Sequence, residues 1–261
     1  MKGLLIYFSG TGNSKFIAKR IKNEFIKQGH EVTLYSIEEN LTIDWESYDF
    51  LILGSPKYYE HTPLFFINWI ENNVPKLPSP INVIIFCTAS APVATSFKYL
   101  QKILEKKNCY VVTTKTFQMP NNYSIGMFST TSEEKYEIYS KWSGEKAALM
   151  IENFLYAVYS IEKINGFIGF LCKNVSSFFC NSAKHKSKNF SVNSDCIKCK
   201  QCIKNCPNDN IEIKNDKIVF KNNCIFCTRC INSCPKNAIL YKNKKPKQYT
   251  YNLNELEENK R

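Results

Sequence analysis

The stretch Leu4-Leu5-Ile6-Tyr7-Phe8-Ser9-Gly10-Thr11-Gly12-Asn13-Ser14 sets five apolar residues directly before a short loop of glycines and hydroxyl side chains. Beyond it Phe16, Ile17, Ile21 and Phe25 recur at helical spacing up to Gly29. The reading is strand, loop, helix, with the loop opening the helix. The hydroxyls of Ser9, Thr11 and Ser14, the backbone N–H groups freed by the glycines and the positive end of the helix dipole all suit a phosphate. A Walker A loop would need Gly-Lys-Ser/Thr, and a dinucleotide fingerprint would need a glycine where Lys15 stands, so neither applies.

Working outward, the alternation repeats. Strands are expected over 32–36, 50–54, 83–88 and 110–117, and helices over 64–71 and 93–106. After a loop over 119–130, residues 133–162 keep helix-like periodicity, with Gly144 a point where the helix could break in two. Strands alternating with helices imply a parallel sheet covered on both faces. This first domain is expected to span 1–160. Residues 161–190 then form a connector whose apolar members Ile161, Ile164, Phe167, Ile168, Leu171, Val175, Phe178 and Phe179 keep roughly helical spacing, although Gly166 and Gly169 weaken it.

The second half carries a different chemistry. From Cys196 the chain reads Cys-x2-Cys-x2-Cys-x3-Cys-Pro, through Cys196, Cys199, Cys202, Cys206 and Pro207. The same spacing returns at Cys224, Cys227, Cys230, Cys234 and Pro235, each cysteine 28 positions beyond its counterpart. Eight soft thiolates in a duplicated unit suit two 4Fe-4S clusters. Three closely spaced thiolates wrap one cube, while the fourth, turned away before its proline, reaches the neighbouring cube. Cys196, Cys199, Cys202 and Cys234 are therefore assigned to one cluster, and Cys224, Cys227, Cys230 and Cys206 to the other. Zinc would be the alternative, but its motifs usually present two well-separated Cys-x2-Cys pairs.

Residues 191–245, on this spacing, resemble a bacterial ferredoxin with two 4Fe-4S clusters, and 246–261 form a charged tail. The Ser-Gly-Thr-Gly-Asn-Ser loop, with the alternation around it, resembles the FMN phosphate loop of flavodoxins. Together they resemble a flavodoxin–ferredoxin fusion. That resemblance implies an α/β flavodoxin-like domain with a five-stranded parallel sheet ordered 2-1-3-4-5, then a small α+β ferredoxin-like domain. In such a sheet the ligand lies beyond the carboxyl ends of the strands at the switch point. The implied FMN contacts are Ser9, Gly10, Thr11, Gly12, Asn13 and Ser14 at the phosphate. Ser55, Pro56, Lys57, Tyr58 and Tyr59 belong to one flanking loop, Tyr58 being the first choice for stacking on the flavin, and Thr88, Ala89 and Ser90 to the other. Met119-Pro120-Asn121-Asn122-Tyr123, similar to stretches in such fusions, would close over the flavin, form the seam between domains, or be a plain turn.

Composition narrows the classes. Hydrophobic residues make up 44% and charged residues 22%, and no run of eighteen apolar residues exists to span a bilayer. The start lacks a signal peptide's apolar run and cleavage site, so a cytoplasmic location with reduced thiols is expected, in an anaerobic host. The formal charge is +12, and residues 181–261, with 17 Lys and Arg against 7 Asp and Glu, carry most of it. Two oxidised clusters at about −2 each and an FMN phosphate at roughly −2 lower the total to about +6. The remaining excess suits acidic redox partner proteins. No helix-turn-helix or RNA-recognition signature supports nucleic-acid binding. Cys87, Cys109, Cys172 and Cys180 lack ligand spacing, and His30, His61 and His185 are scattered, with His61 alone a candidate flavin contact. No catalytic acid, base or nucleophile is expected. The function implied is electron transfer between the two clusters and FMN, joining one-electron carriers to two-electron flavin chemistry; the alternative is reduction of a small quinone or flavin substrate.

Overall fold

The computed structural model describes residues 1–40, 42–58, 61–91, 97–125, 131, 133–163 and 185–249. Its first half runs β1 (Lys2–Tyr7), α1 (Asn13–Lys27), β2 (Glu31–Ser36), β3 (Phe50–Pro56), α2 (Leu64–Asn73), β4 (Ile81–Ala89), α3 (Lys98–Glu105), β5 (Cys109–Gln118) and α4 (Glu133–Leu155). The five strands form one parallel sheet ordered β2-β1-β3-β4-β5, the flavodoxin-like order. β1 lies between β2 and β3, with Leu5 opposite Leu34 on β2 and Ile52 on β3. Successive strand residues face opposite sides. Leu4, Ile6 and Phe8 pack with Phe66, Ile70, Leu100 and Leu104 of α2 and α3. Leu5 and Tyr7 pack on the other side with Phe16, Ile17 and Phe25 of α1 and Met150 and Phe154 of α4. Each such buried side chain stabilises the fold by about 1.5–3 kcal/mol. Because all strands run the same way, the loops after β1, β3 and β4 meet at one edge of the sheet.

Three expectations are adjusted. First, α3 starts at Lys98; Phe97 precedes it, and residues 93–96 of the expected helix lie outside the described residues. Second, α4 runs unbroken through Gly144, where a Cβ would stand 2.7 Å from Arg20 Nη1. The glycine admits the α1 guanidinium, whose Nη2 donates to Ser140 Oγ at 3.2 Å. Third, α4 ends at Leu155, and the following chain covers the exposed edge of β5. Thr114 N donates to Ser160 O at 2.9 Å, Thr116 N to Glu162 Oε2 at 2.9 Å, and Glu162 N to Thr114 Oγ1 at 2.8 Å. Satisfying an open sheet edge outweighs another helical turn. The helical spacing expected in the connector falls mostly on 164–184, outside the described residues.

The cysteine-rich half pairs β6 (Phe190–Val192) antiparallel with β9 (Ile239–Tyr241), and β7 (Ile211–Lys214) with β8 (Lys217–Phe220). The β7–β8 turn puts Asn215 and Asp216 at φ 49° and 61°, as a two-residue type I′ hairpin requires. The sequence duplication is also conformational. Lys198 and Lys200 take φ 53° and 63°; Phe226 and Thr228, 28 positions on, take 57° and 59°. One-turn helices follow at Gln201–Lys204 and Arg229–Asn232. Phe190, Phe226, Ile231 and Ile239 form this half's small core together with Ile125 from the chain after β5, and Cys202, Cys224, Cys230 and Cys234 pack against it. Among the described residues no helix is long and apolar enough to cross a membrane.

Candidate functional site

A cavity of about 260 Å³ opens where the loops after β1, β3 and β4 meet. Ser9, Gly10, Thr11, Asn13 and Ser14 line it. Gly12, at φ 108°, turns the chain into α1, and its N–H donates to Ser9 Oγ at 3.2 Å. No side chain caps α1, and its first turn holds no acidic residue. The first-turn N–H groups of a helix have no partner within it, so this uncapped end on a cavity fits a phosphate. Ser14 Oγ lies 2.7 Å from Thr88 Oγ1, joining the first loop to the third.

From the second loop Pro56, Lys57 and Tyr58 reach the wall. Ser55 does not: it is buried in β3 opposite Cys87. Tyr59 lies outside the described residues. Lys57 N donates to Thr88 O at 2.8 Å, and Tyr58 pairs backbone to backbone with His61. His61 stands off the wall, its Nδ1 3.3 Å from Thr62 O. Thr88, Ala89, Ser90 and Ala91 complete the third loop.

The sequence left two further walls undecided or unseen. Pro120, Asn121, Asn122 and Tyr123 line the cavity, so this stretch is part of the site as well as a bend. Asn13 Nδ2 donates to Pro120 O at 2.9 Å, and the Asn122 side chain donates to Thr11 Oγ1. Phe226, Cys227 and Thr228 of the second cysteine run close the cavity from the other half of the chain. A Cβ on Gly10 would stand 2.5 Å from Tyr58 Oη and 3.1 Å from Cys227 Cβ, so phosphate loop, tyrosine loop and cysteine run meet at that residue. Thr228 Oγ1 donates to Asn122 O at 3.5 Å, and Tyr249 Oη to Asn13 Oδ1 at 3.0 Å. No local pattern fixes these contacts; the signal available is the Met119–Tyr123 stretch, for which a seam between domains is one of the alternatives the sequence offers.

The eight repeat cysteines fall into two neighbourhoods. Burial, with smaller contributions from Cys196, Cys234 and Cys199, pushes the Cys202 thiol up to about 11. Burial likewise pushes Cys224 up to about 12, with Cys227 and Cys206 adding to it, and Cys227 up to about 11, again with Cys206 nearby. Each triplet thus has the other run's fourth cysteine as a neighbour. Backbone N–H groups point at sulfur at equivalent places: Asn210 N to Cys206 Sγ at 3.2 Å and Ala238 N to Cys234 Sγ at 3.3 Å. Such donors favour thiolates bearing cluster charge. Among the described residues no three His, Cys, Asp or Glu side chains converge as on a single ion.

A family model of a flavodoxin domain matches residues 4–119, and one of a 4Fe-4S dicluster domain matches 138–252. Among solved structures, oxidised Flavodoxin 2 from Bacillus cereus is 20% identical, with a TM-score of 0.42 over 59% of this chain and 99% of that one. General stress protein 14 from Treponema denticola, in complex with FMN, is 12% identical, with a TM-score of 0.43 over 58% and 98%. A flavodoxin from the domain Archaea is 14% identical, with a TM-score of 0.40 over 58% and 99%. No curated protein matches. With a flavodoxin domain ahead of a 4Fe-4S dicluster domain, the chain has the make-up of a flavodoxin–ferredoxin fusion.

Proposed function

We propose that the chain passes electrons between two 4Fe-4S clusters and one FMN, and that the two cofactor sites are built to adjoin. In this reading Cys196, Cys199, Cys202 and Cys234 hold one cluster, and Cys206, Cys224, Cys227 and Cys230 hold the other, nearer the cavity. The FMN phosphate sits against the Ser9–Ser14 loop at the uncapped end of α1. Tyr58 shields the ring, with Tyr59 on the same loop, and the Thr88–Ser90 backbone meets its polar edge. Bound there, FMN supplies a site that accepts two electrons in separate steps, whereas each cluster accepts one. The chain's own residues bind, orient and exclude water, and no side chain is required as a nucleophile. Lysines of the cysteine-rich half attract an acidic redox partner. The observation that carries this reading is the single cavity walled by both the Ser9–Ser14 loop and Phe226-Cys227-Thr228.

Anaerobic purification with iron, sulfide and flavin quantification, followed by stepwise reductive titration, tests it. About eight iron, eight sulfide and one FMN per chain are expected. Clusters without flavin would reduce the first domain to a docking module and refute the reading.

A further inference from the structure

Arg229 stands between Cys227 and Cys230, yet its guanidinium leaves its own half of the chain. Nε donates to Gly10 O at 2.8 Å and Nη2 to Ser9 O at 2.8 Å. Nη1 and Nη2 grip Glu38 Oε1 and Oε2 at 2.5 Å and 2.7 Å, a bidentate pair. Nη1 also donates to Asn205 O at 3.1 Å, beside Cys206. The guanidinium carbon lies 5.6 Å from the centre of the Phe8 ring. All five N–H donors of the fork are thereby used, which a lysine could not reproduce.

Two of the acceptors are backbone carbonyls of the loop that reads as the phosphate cradle. In a planar trans peptide the carbonyl and the following N–H point opposite ways. Holding the carbonyls of Ser9 and Gly10 toward Arg229 therefore turns the N–H groups of Gly10 and Thr11 away from it, and both residues line the cavity. The same side chain seats the Cys227 loop against Gly10, where a Cβ would meet Cys227 O at 3.2 Å.

From this geometry we infer that Arg229, paired with Glu38, is a positioning residue that orients the phosphate loop and fixes the cluster of Cys206, Cys224, Cys227 and Cys230 as the flavin's electron partner. The inference rests on the reading of this cavity as the FMN site. The step it serves moves one electron: the cluster is oxidised by one, the flavin is reduced by one, and no bond is made or broken. Because one clasp serves both sites, FMN affinity and the seating of the cysteine-rich half are coupled, and the coupling is reciprocal.

The test uses the full chain carrying its clusters, as wild type, Arg229→Met, Arg229→Lys and Glu38→Gln. FMN affinity is read by fluorescence titration of flavin-depleted protein, and cluster-to-flavin transfer by rapid mixing with dithionite. Arg229→Met is expected to keep its iron and sulfide, bind FMN about 10-fold to 100-fold more weakly, as loss of charge-assisted hydrogen bonds implies, and slow the transfer. Arg229→Lys is not expected to restore either property, and Glu38→Gln is expected to fall between. Should Arg229→Met fail to assemble, Glu38→Gln, outside both cofactor sites, decides: wild-type affinity and rate in that variant overturn the inference. Wild-type affinity and rate in Arg229→Met overturn it directly. Failure of the wild type itself to bind FMN would instead bring down the functional reading beneath it.

Discussion

At Gly10 a methyl group would press on Tyr58 Oη at 2.5 Å and on Cys227 at 3.1 Å, one a side-chain tip and the other part of the second cysteine run. Gly12, by contrast, has open space around its Cβ direction and is constrained only by φ 108°. Gly10→Ala is therefore expected to weaken FMN binding about 10-fold or more through the displaced walls, since overpacking costs about 1–3 kcal/mol, and to disturb the Cys227 cluster's absorption. Gly12→Ala is expected to lower the melting temperature through backbone strain while leaving that absorption unchanged. A different residue-scale effect belongs to Cys109, whose thiol burial pushes up to about 11, with Lys107 pulling it down. Its ordinary value is 9.0. On raising the pH the unfolded thiol loses its proton first, so stability is intact below about pH 9 and falls between about 9 and 11. Denaturant unfolding from pH 8 to 10.5 should show a steeper fall for wild type than for Cys109→Ala; equal slopes would refute it. That Cys87 and Cys109 are buried strand residues was readable from their apolar neighbours. That Ser55 would lie beneath the wall was not, because a turn residue and the last buried strand residue look alike in sequence.

Among the elements, the duplicated cysteine runs are where spacing carried furthest. Equal 28-residue offsets recur as equal backbone angles, equal one-turn helices and equal N–H to sulfur contacts. If the fourth cysteines cross, Cys206→Ala combined with Cys227→Ala removes one cluster and leaves about four iron per chain, whereas Cys206→Ala with Cys199→Ala removes both. The opposite pattern in iron counts would show uncrossed ligation. Helix limits were less legible. Periodicity ran past Leu155 because Val158, Tyr159 and Ile161 continue an apolar spacing, but that stretch instead lies along the edge of β5. Gly144 looked like a breaker because a propensity cost of about 1 kcal/mol is visible in sequence, while the neighbour that uses the gap, Arg20, is 124 positions away.

For the whole molecule, the two halves differ in what holds them up. The sheet is covered on both faces by large apolar clusters, whereas the cysteine-rich half has one small cluster, shared with Ile125 of the first half, and leans on its cysteines. Anaerobic iron chelation is expected to unfold the second half first, seen as loss of hydrogen-exchange protection over β6 to β9, with the parallel sheet still protected. Simultaneous loss throughout would contradict it. Charge is uneven too, so reduction of the chain by an acidic carrier should slow as salt rises from about 0.01 to 0.15 M, as screening shortens from about 30 to 8 Å, while the internal transfer stays constant. A strand leading into a glycine turn, a helix and two sets of thiols at ligand spacing are properties of short stretches, and propensity and ligand geometry made them readable in order along the chain. The seam is another matter. Arg229 finds Gly10 across 219 positions and Tyr249 finds Asn13 across 236, contacts that exist only once both halves have folded and packed. Side chains that look like ordinary surface charge or loop polarity in one dimension acquire their partners from that packing alone.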